Sequence, residues 1–307
     1  MTAERIVTSI AGFALALALS PLLFGVINKT KALVAGRRGQ PFLQPYRDIA
    51  KLLRKGAVYS RTTTLVFRAG PVVGLAAVLG ALAIVPLGGA PAPLSFAGDL
   101  VLLAYCLGLM RFFTVLAALD TGSAFEGMGA SREVQFSALA EPALLLALAA
   151  LLNQASGQSL SEVYGAVGYI ALLGGGPEIY LAVASLCIVF LAENARIPVD
   201  DPDTHLELTM IHEVMVLDHG GPDFAMITYA AALKMWVLGA LIVGILLPVR
   251  TGSPLVDLGA AVAGMFGLAV ATGLVESGMA RLRLLRVPHL LAAALVLAGL
   301  ALILAWR

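Results

Sequence analysis

The segment from Ala192 to Glu207 concentrates ionisable side chains in a chain that is otherwise mostly apolar. Its sixteen residues include seven ionisable side chains and two prolines. A charge at the centre of a membrane helix costs roughly 2.5 to 3.5 kcal/mol by insertion scales, so charges gather in loops or at functional positions. The segment therefore indicates a surface for proton chemistry or for docking a soluble partner protein.

Five charged residues lie within or at the ends of apolar stretches: Arg111, Glu141, Glu193, Lys234 and Glu276. Burial brings carboxyl and ammonium groups closer to proton exchange at neutral pH. We therefore predict that these residues belong to a proton path. Structural ion pairing between helices is the alternative; it is favoured for Arg111 and Glu276, whereas the proton path is favoured for the other three.

Three histidines, His205, His212 and His219, recur at seven-residue spacing and would share one face of a helix. A zinc-protease motif is excluded, because Val216 stands where the second histidine would be required. Successive histidines would also lie about 10 Å apart along the helix, too far to bind one ion together. We predict no metal site, and expect proton buffering or polar packing instead.

The sequence also gives no sign of a prosthetic group bound by this chain. Its only cysteines, Cys106 and Cys187, lie in apolar stretches, and an iron–sulfur cluster takes about four cysteine ligands. Phosphate-loop and nucleophile-elbow motifs are absent from the sequence. We therefore expect no cofactor.

Composition defines the class of protein that must position these residues. Of the 307 residues, 60% are hydrophobic and 13% are charged, and the mean hydropathy is +0.93. Soluble domains carry about 25% charged residues. The chain is thus predicted to be an all-α, polytopic membrane protein, and its net charge of +1 gives no reason to expect a nucleic-acid partner.

Apolar stretches of about twenty residues are long enough to cross a membrane as helices. We predict one integral membrane domain over residues 1–307 with eight spans, at about 6–27, 65–87, 98–119, 135–154, 178–194, 223–248, 255–278 and 287–306. Residues 159–175 are shorter and rich in glycine, which favours an interfacial segment over a ninth span.

Lysine and arginine residues predict the orientation of these spans. The loop after the first span contains nine of them, whereas the loops after the second and fourth spans contain none. We therefore expect the first loop in the cytoplasm and both termini on the outer side of a prokaryotic cytoplasmic membrane. Within that loop, Pro45 and the apolar residues Tyr46, Ile49 and Leu53 predict an amphipathic helix at about 45–55, lying on the membrane surface. It either anchors the loop to lipid, or roofs a cavity or supports a docked subunit.

Three segments resemble a known family. Gly36 to Gly56 and Glu193 to Asp200 are similar to cytoplasmic loops in the subunit 1 family of respiratory complex I, and Leu119 to Glu133 resembles the equivalent subunit of group 4 [NiFe]-hydrogenases and formate hydrogenlyase. The resemblance implies a membrane subunit that anchors a redox arm and couples electron transfer to H⁺ or Na⁺ movement. Implied partners are hydrogenase-like small (iron–sulfur) and large subunits, antiporter-like membrane subunits and the lipid bilayer.

The resemblance also implies a set of residues for docking the arm or lining a cavity. They are Arg37, Arg38, Tyr46, Arg47, Asp48, Asp120, Arg132, Glu133, Arg196, Asp200, Asp203, Glu207 and Glu213. The chain departs from the complex I pattern at His205, which stands where that family has a glutamate. A quinone-binding subunit remains an alternative, as does a stand-alone secondary transporter, although the chain lacks the internal repeat that a transporter favours.

Overall fold

The computed structural model describes residues 3–155, 157–172, 174, 176–201 and 210–306, and over these residues the chain is helical with no strand. The helices are α1 (Ala3–Val34), α2 (Gln44–Leu53), α3 (Leu65–Ile84), α4 (Asp99–Asp120), α5 (Ala124–Ala155), α6 (Leu160–Leu172), α7 (Pro177–Glu193), α8 (Gly221–Leu246), α9 (Pro254–Gly278) and α10 (Val287–Ala305). Two short 3₁₀ turns lie at Glu213–Val216 and Leu284–Arg286. The predicted all-α polytopic fold is confirmed.

Seven of the described helices, α1, α3, α4, α5, α8, α9 and α10, are long and apolar enough to cross a membrane. The predicted fifth span forms α7, whose 17 residues fall just below the usual length of a crossing. The segment expected at the membrane interface forms α6, which packs against α5 and α8. There Tyr164 is buried and its hydroxyl donates to the Leu241 carbonyl at 2.8 Å.

Helix α8 is the centre of the bundle. It is the most buried of the candidate spans: 72% of its apolar 18-residue stretch is buried inside the protein, against 28% for α4 and α10. It contacts α3, α1, α2, α6, α7 and α9. Trp236 is among the fully buried side chains of this helix, so α8 is the element around which the others are placed.

The helices alternate in direction, so the loops gather at two ends of the bundle. One end, here the cavity end, holds α2, the α4–α5 connection, residues 194–201 and 210–220, and the α9–α10 connection. There the backbone N–H of Leu282 donates to the Pro198 carbonyl at 2.9 Å. The other end, here the closed end, holds α6 and the loops at 85–98 and 247–253, where the backbone N–H of Ala92 donates to the Ser161 hydroxyl at 3.0 Å.

Helix α2 lies across α1 and α8 at the cavity end. Its Tyr46 hydroxyl donates to the Ala18 carbonyl in α1, and burial raises the pKa of that hydroxyl. Gly25 of α1 faces the carbonyl oxygen of Phe42, which a Cβ at this position would overlap. Glycine thus lets α1 approach the segment that leads into α2.

Candidate functional site

Arg111, near the middle of α4, binds three carboxylates from other helices. Its Nε lies 2.9 Å from Glu133 Oε1 of α5, and its two terminal nitrogens bind Glu141 of α5 and Glu193 of α7. Only 11% of the Arg111 side chain is exposed. A guanidinium has five N–H donors in a planar fork, so one arginine can hold several carboxylates from different directions.

Lys234 and His212 extend this group. The Lys234 ammonium lies 3.6 Å from Glu193 Oε2, and the His212 Nε2 lies 3.1 Å from Glu133 Oε2. We call Arg111, Glu133, Glu141, Glu193, Lys234 and His212 the central cluster. Its members come from α4, α5, α7, α8 and the loop that precedes α8.

Asp200 connects the central cluster to the cavity end. Its Oδ2 accepts hydrogen bonds from the backbone N–H groups of Ile211 and His212, each at 3.2 Å, and its Oδ1 lies 2.8 Å from Arg281 Nη2. Burial favours the neutral acid, but the hydrogen bonds and charge of His212, followed by the charge of Arg281, outweigh it and lower the pKa of Asp200. Asp200 is therefore held as a carboxylate.

His212 lies between two carboxylates, because its Nδ1 is 3.4 Å from Asp200 Oδ2 while its Nε2 faces Glu133. Burial and the charge of Lys234 oppose a positive imidazole ring. The charge of Glu133 and the hydrogen bond and charge of Asp200 outweigh them and raise the pKa of His212. The ring therefore keeps its proton to higher pH than an ordinary histidine.

A second ion-pair group lies beside the central cluster. Glu276 of α9 has a fully buried side chain and binds Lys31 at 3.0 Å and Arg196 at 3.3 Å. The guanidinium of Arg196 also lies over the Phe24 ring, 4.9 Å from its centroid. Glu276 and Arg111 are thus separate from each other, although the sequence predicts both as members of one path.

A cavity of about 530 Å³ opens beside the central cluster. Its polar wall includes Arg111, Glu133, Glu193, His212 and Lys234, and its apolar wall includes side chains of α1, α4 and α8. Pro45, Asp48 and Leu52 of α2 also line it. Helix α2 therefore roofs a cavity, as one of the two interpretations of the amphipathic helix predicts.

The residues predicted for docking or cavity lining occupy four different settings. Arg37, Arg38, Arg47 and Asp48 are exposed around α2. Asp120 accepts from the Thr64 backbone N–H at 2.6 Å and so joins the end of α4 to the start of α3. Arg132 donates to the Met210 carbonyl at 2.7 Å, and Glu213 lines the cavity.

Other residues of that set lie inside the protein or outside the described residues. Glu133, Arg196 and Asp200 are buried, with 6%, 6% and 1% of their surfaces exposed, and all three bind charges of this chain. Their placement favours a role in the internal ion pairs over direct contact with a partner. Asp203, His205 and Glu207 lie outside the described residues.

His212 and His219, the two histidines of the heptad pattern that the structure describes, do not lie on a common helix. The described part, residues 210–220, contains only the 3₁₀ turn Glu213–Val216, and the sequence Gly220-Gly221-Pro222 ends the irregular segment. His219 stacks on Phe67 with ring centroids 3.9 Å apart, away from His212. Among the residues that the structure describes, no group of three His, Cys, Asp or Glu side chains could hold a metal ion.

The family model described as NADH dehydrogenase matches residues 6–306, almost the whole chain. The chain belongs to this family. It is the subunit 1 family of complex I, so the resemblance predicted from three sequence segments is confirmed.

Two curated proteins of Escherichia coli (strain K12) are similar over most of their length. Formate hydrogenlyase subunit 4 is 32% identical over 273 residues, which cover 87% of this chain and 88% of that protein. Hydrogenase-4 component C is 32% identical over 245 residues, which cover 79% and 76%. These similarities agree with the family assignment.

A chain of the membrane-bound sulfane sulfur reductase, an archaeal respiratory membrane complex, has the same fold. Its TM-score is 0.81, with 21% identity over 98% of this chain and 99% of that one. The present chain is therefore a multi-pass membrane protein and a membrane subunit of the complex I-like type.

His212 is the residue that sequence reasoning did not place in the site. Its type gave a signal, since an ordinary histidine titrates near neutral pH. Its location depends on tertiary contacts before α8, where the His212 N–H donates to Asp200 and the ring faces Glu133. Hydropathy and spacing carry no information on those contacts.

Proposed function

We propose that the chain is the membrane subunit of a group 4 hydrogenase or formate hydrogenlyase-type complex. In this role it anchors a redox arm and couples electron transfer in the arm to movement of H⁺ or Na⁺ through the membrane. The names of the two similar E. coli proteins support the type of complex. We further propose that catalysis takes place in the arm and that this chain carries no redox cofactor of its own.

One observation supports the coupling role most directly: Glu133, Glu141 and Glu193 all bind the guanidinium of Arg111 at the wall of the cavity. The three carboxylates compete for one guanidinium, so a change in the position of Arg111 would change their proton affinities in opposite directions. Lys234 contacts the same cluster from α8, with 13% of its side chain exposed. Such an arrangement can take up a proton at one carboxylate and release one at another.

The exposed basic residues around α2 support a docking role for the cavity end. Arg37, Arg38 and Arg47 are exposed, and a cationic rim can steer and orient an acidic partner. We propose that hydrogenase-like small and large subunits dock there, and that antiporter-like subunits adjoin the chain within the bilayer. The positive-inside rule supports a prokaryotic cytoplasmic membrane with both termini outside. A reporter fused at Gly56 should accordingly report the cytoplasm, and a periplasmic signal would reverse the orientation.

A quinone-binding subunit is the second candidate, and the cavity supports it. Its volume of about 530 Å³ falls in the range of roughly 300–1,000 Å³ that small-molecule pockets occupy. Binding of a quinone analogue to the purified complex, abolished by a bulky substitution in the apolar wall such as Ala231→Trp, would favour this candidate over the first.

The coupling role is tested by Glu141→Gln and Lys234→Met, which remove charge at near-constant size. Both variants should assemble with the other subunits but show coupled ion movement reduced about tenfold or more, as for loss of a proton-transfer group. Glu178→Gln is the matched control, because Glu178 binds Gln154 at the closed end, at 2.6 Å. Ion movement and turnover are measured in proteoliposomes; wild-type coupling in both assembled variants would reduce these residues to structural ion pairs.

A further inference from the structure

The His212 ring is held between two carboxylates through both of its nitrogens. Nδ1 lies 3.4 Å from Asp200 and Nε2 lies 3.1 Å from Glu133. A neutral imidazole has one N–H donor and one lone pair, whereas an ionised carboxylate only accepts. Each of the two nitrogen–oxygen contacts therefore needs its own proton. Either the ring is an imidazolium, or one of the two carboxyl groups is protonated.

Asp200 is the partner that stays ionised. It accepts from the backbone N–H groups of Ile211 and His212 and from Arg281, and these bonds favour the carboxylate. The Nδ1 of His212 is then kept protonated by Asp200. The hydrogen bond at one ring nitrogen determines which nitrogen can exchange its proton. The exchangeable proton of His212 is therefore the one on Nε2, which faces Glu133.

The balance of charges around the ring also favours a protonated His212. Glu133, Glu141 and Glu193 bring three negative charges, whereas Arg111 and Lys234 bring two positive ones. Asp200 and Arg281 balance each other. Counted over these described ion pairs alone, one negative charge is uncompensated, and a protonated His212 balances it.

Resting on the function proposed above, we infer that His212 is a proton-exchange residue that shares one mobile proton with Glu133, and that Asp200 is its positioning residue. In the exchange, the Nε2–H bond of the imidazolium breaks and an O–H bond forms on Glu133. The pair of opposite charges becomes a neutral imidazole and a neutral carboxylic acid. No electron changes place, and the new O–H donates back to Nε2.

Arg111 determines on which side the proton resides. While its guanidinium binds Glu133, the carboxylate is favoured and the proton stays on His212. When Arg111 moves towards Glu141 and Glu193, Glu133 becomes the better proton acceptor. The His212 side chain is 21% exposed and lines the cavity, so water in the cavity can load or unload the pair.

The pH profile of coupled turnover in the assembled complex tests this exchange. The wild type should lose coupled turnover as pH rises through the raised pKa of His212, because the ring then loses its proton. His212→Gln keeps a hydrogen-bonding side chain but cannot titrate. It should lower coupled turnover about tenfold or more. It should also abolish the alkaline limb, which is the fall of coupled turnover at high pH. An unchanged alkaline limb in assembled His212→Gln would overturn the proposal.

Two further variants distinguish exchange from packing. Asp200→Asn removes a negative charge from Nδ1 and should move the alkaline limb to lower pH. His219→Gln alters the histidine that stacks on Phe67 and should leave the limb where it is. If His219→Gln moved the alkaline limb and Asp200→Asn did not, the titrating residue would be His219, and the proposal for His212 would fail.

A measurement independent of turnover separates this inference from the proposed function. The full chain contains four histidines, and ¹⁵N-histidine labelling in lipid nanodiscs resolves their ring nitrogens, with His212 assigned by its absence in His212→Gln. Both nitrogens of His212 should remain protonated above pH 6.5, the ordinary histidine value. A ring already neutral at that pH would refute the imidazolium from which the exchange starts, whatever the complex transports. If the ring is doubly protonated but the complex moves no ions, the proposed function fails and the proton sharing stands.

Discussion

The two ends of the bundle use charged residues differently. At the closed end they bind backbone groups: Asp99 accepts from the Leu160 N–H at 2.8 Å, Asp257 accepts from the Thr251 N–H at 2.8 Å, and Arg250 donates to the Tyr164 carbonyl at 2.9 Å. At the cavity end Asp120 and Arg132 also bind backbone groups, but the central cluster and the Glu276 group consist of charges that bind one another. Two pockets at the closed end measure only about 10 and 30 Å³, against about 530 Å³ for the cavity.

This difference separates structural charges from charges that can change state. A carboxylate that caps backbone N–H groups has one favourable arrangement and one charge. Carboxylates that share a single guanidinium beside a cavity can exchange partners, and each arrangement favours a different proton distribution. We therefore propose that charge–charge clustering next to a space for water marks the functional end.

The largest expected effect comes from Arg111→Met, which leaves three carboxylates without their common cation. Breaking a buried ion pair by removing one partner costs about 3–5 kcal/mol, so the variant should accumulate poorly and unfold at a markedly lower temperature. Arg250→Met makes the same change at the closed end, where it removes one hydrogen bond of an exposed side chain, worth about 0.5–1.5 kcal/mol. Thermal unfolding in detergent compares them, and equal tolerance of both substitutions would break the distinction between the two ends.

A smaller effect is expected from Gly25→Ala in α1. The new methyl group would meet the Phe42 carbonyl oxygen, a backbone atom that can yield only if the segment before α2 moves. Overpacking of this kind costs about 1–3 kcal/mol, and the roof of the cavity should shift with it. Gly264→Ala in α9 meets only the side-chain atoms of Leu247 and Val243, at 2.7 Å, and side-chain atoms shift at lower cost than a backbone carbonyl. The midpoint of thermal unfolding should therefore fall more for Gly25→Ala, and the reverse order would show that the α2 roof is not held by this contact.

The smallest effect is expected from Asp257→Ala at the closed end. Its carboxylate binds the backbone N–H and the hydroxyl of Thr251, both at 2.8 Å, near the start of α9. A hydrogen bond of this kind contributes about 0.5–1.5 kcal/mol to stability. Coupled ion movement of the assembled complex should be unchanged; a large loss of coupling with little loss of stability would place functional charge at the closed end as well.

Much of the fold follows from hydropathy, because a run of apolar residues long enough to cross a membrane has few other stable conformations. Helix ends are harder to predict. The fourth span was expected from residue 135, yet α5 begins at Ala124. The charged side chains of Glu126 and Glu133 marked that stretch as a loop, although both are buried in the structure.

The central cluster was predictable only in part. Sequence identifies Arg111, Glu141, Glu193 and Lys234 as exceptional, because charges are costly inside a membrane. Sequence does not reveal that they meet, since their partners lie on different helices and depend on how those helices pack. Arg196 and Asp200 were expected at a docking surface because they lie in a charged segment, whereas both side chains are buried and pair with charges of this chain.

The position of Glu141 has a consequence for biogenesis. Although it binds Arg111, 46% of its side chain is exposed, within a helix long and apolar enough to cross a membrane. An ionised carboxylate facing hydrocarbon is unfavourable, so a newly inserted chain without a neighbouring subunit exposes an unfavourable polar group within its membrane helix. A subunit that covers Glu141 favours assembly. An uncovered Glu141 gives cellular quality control a physical basis for removing the unassembled chain.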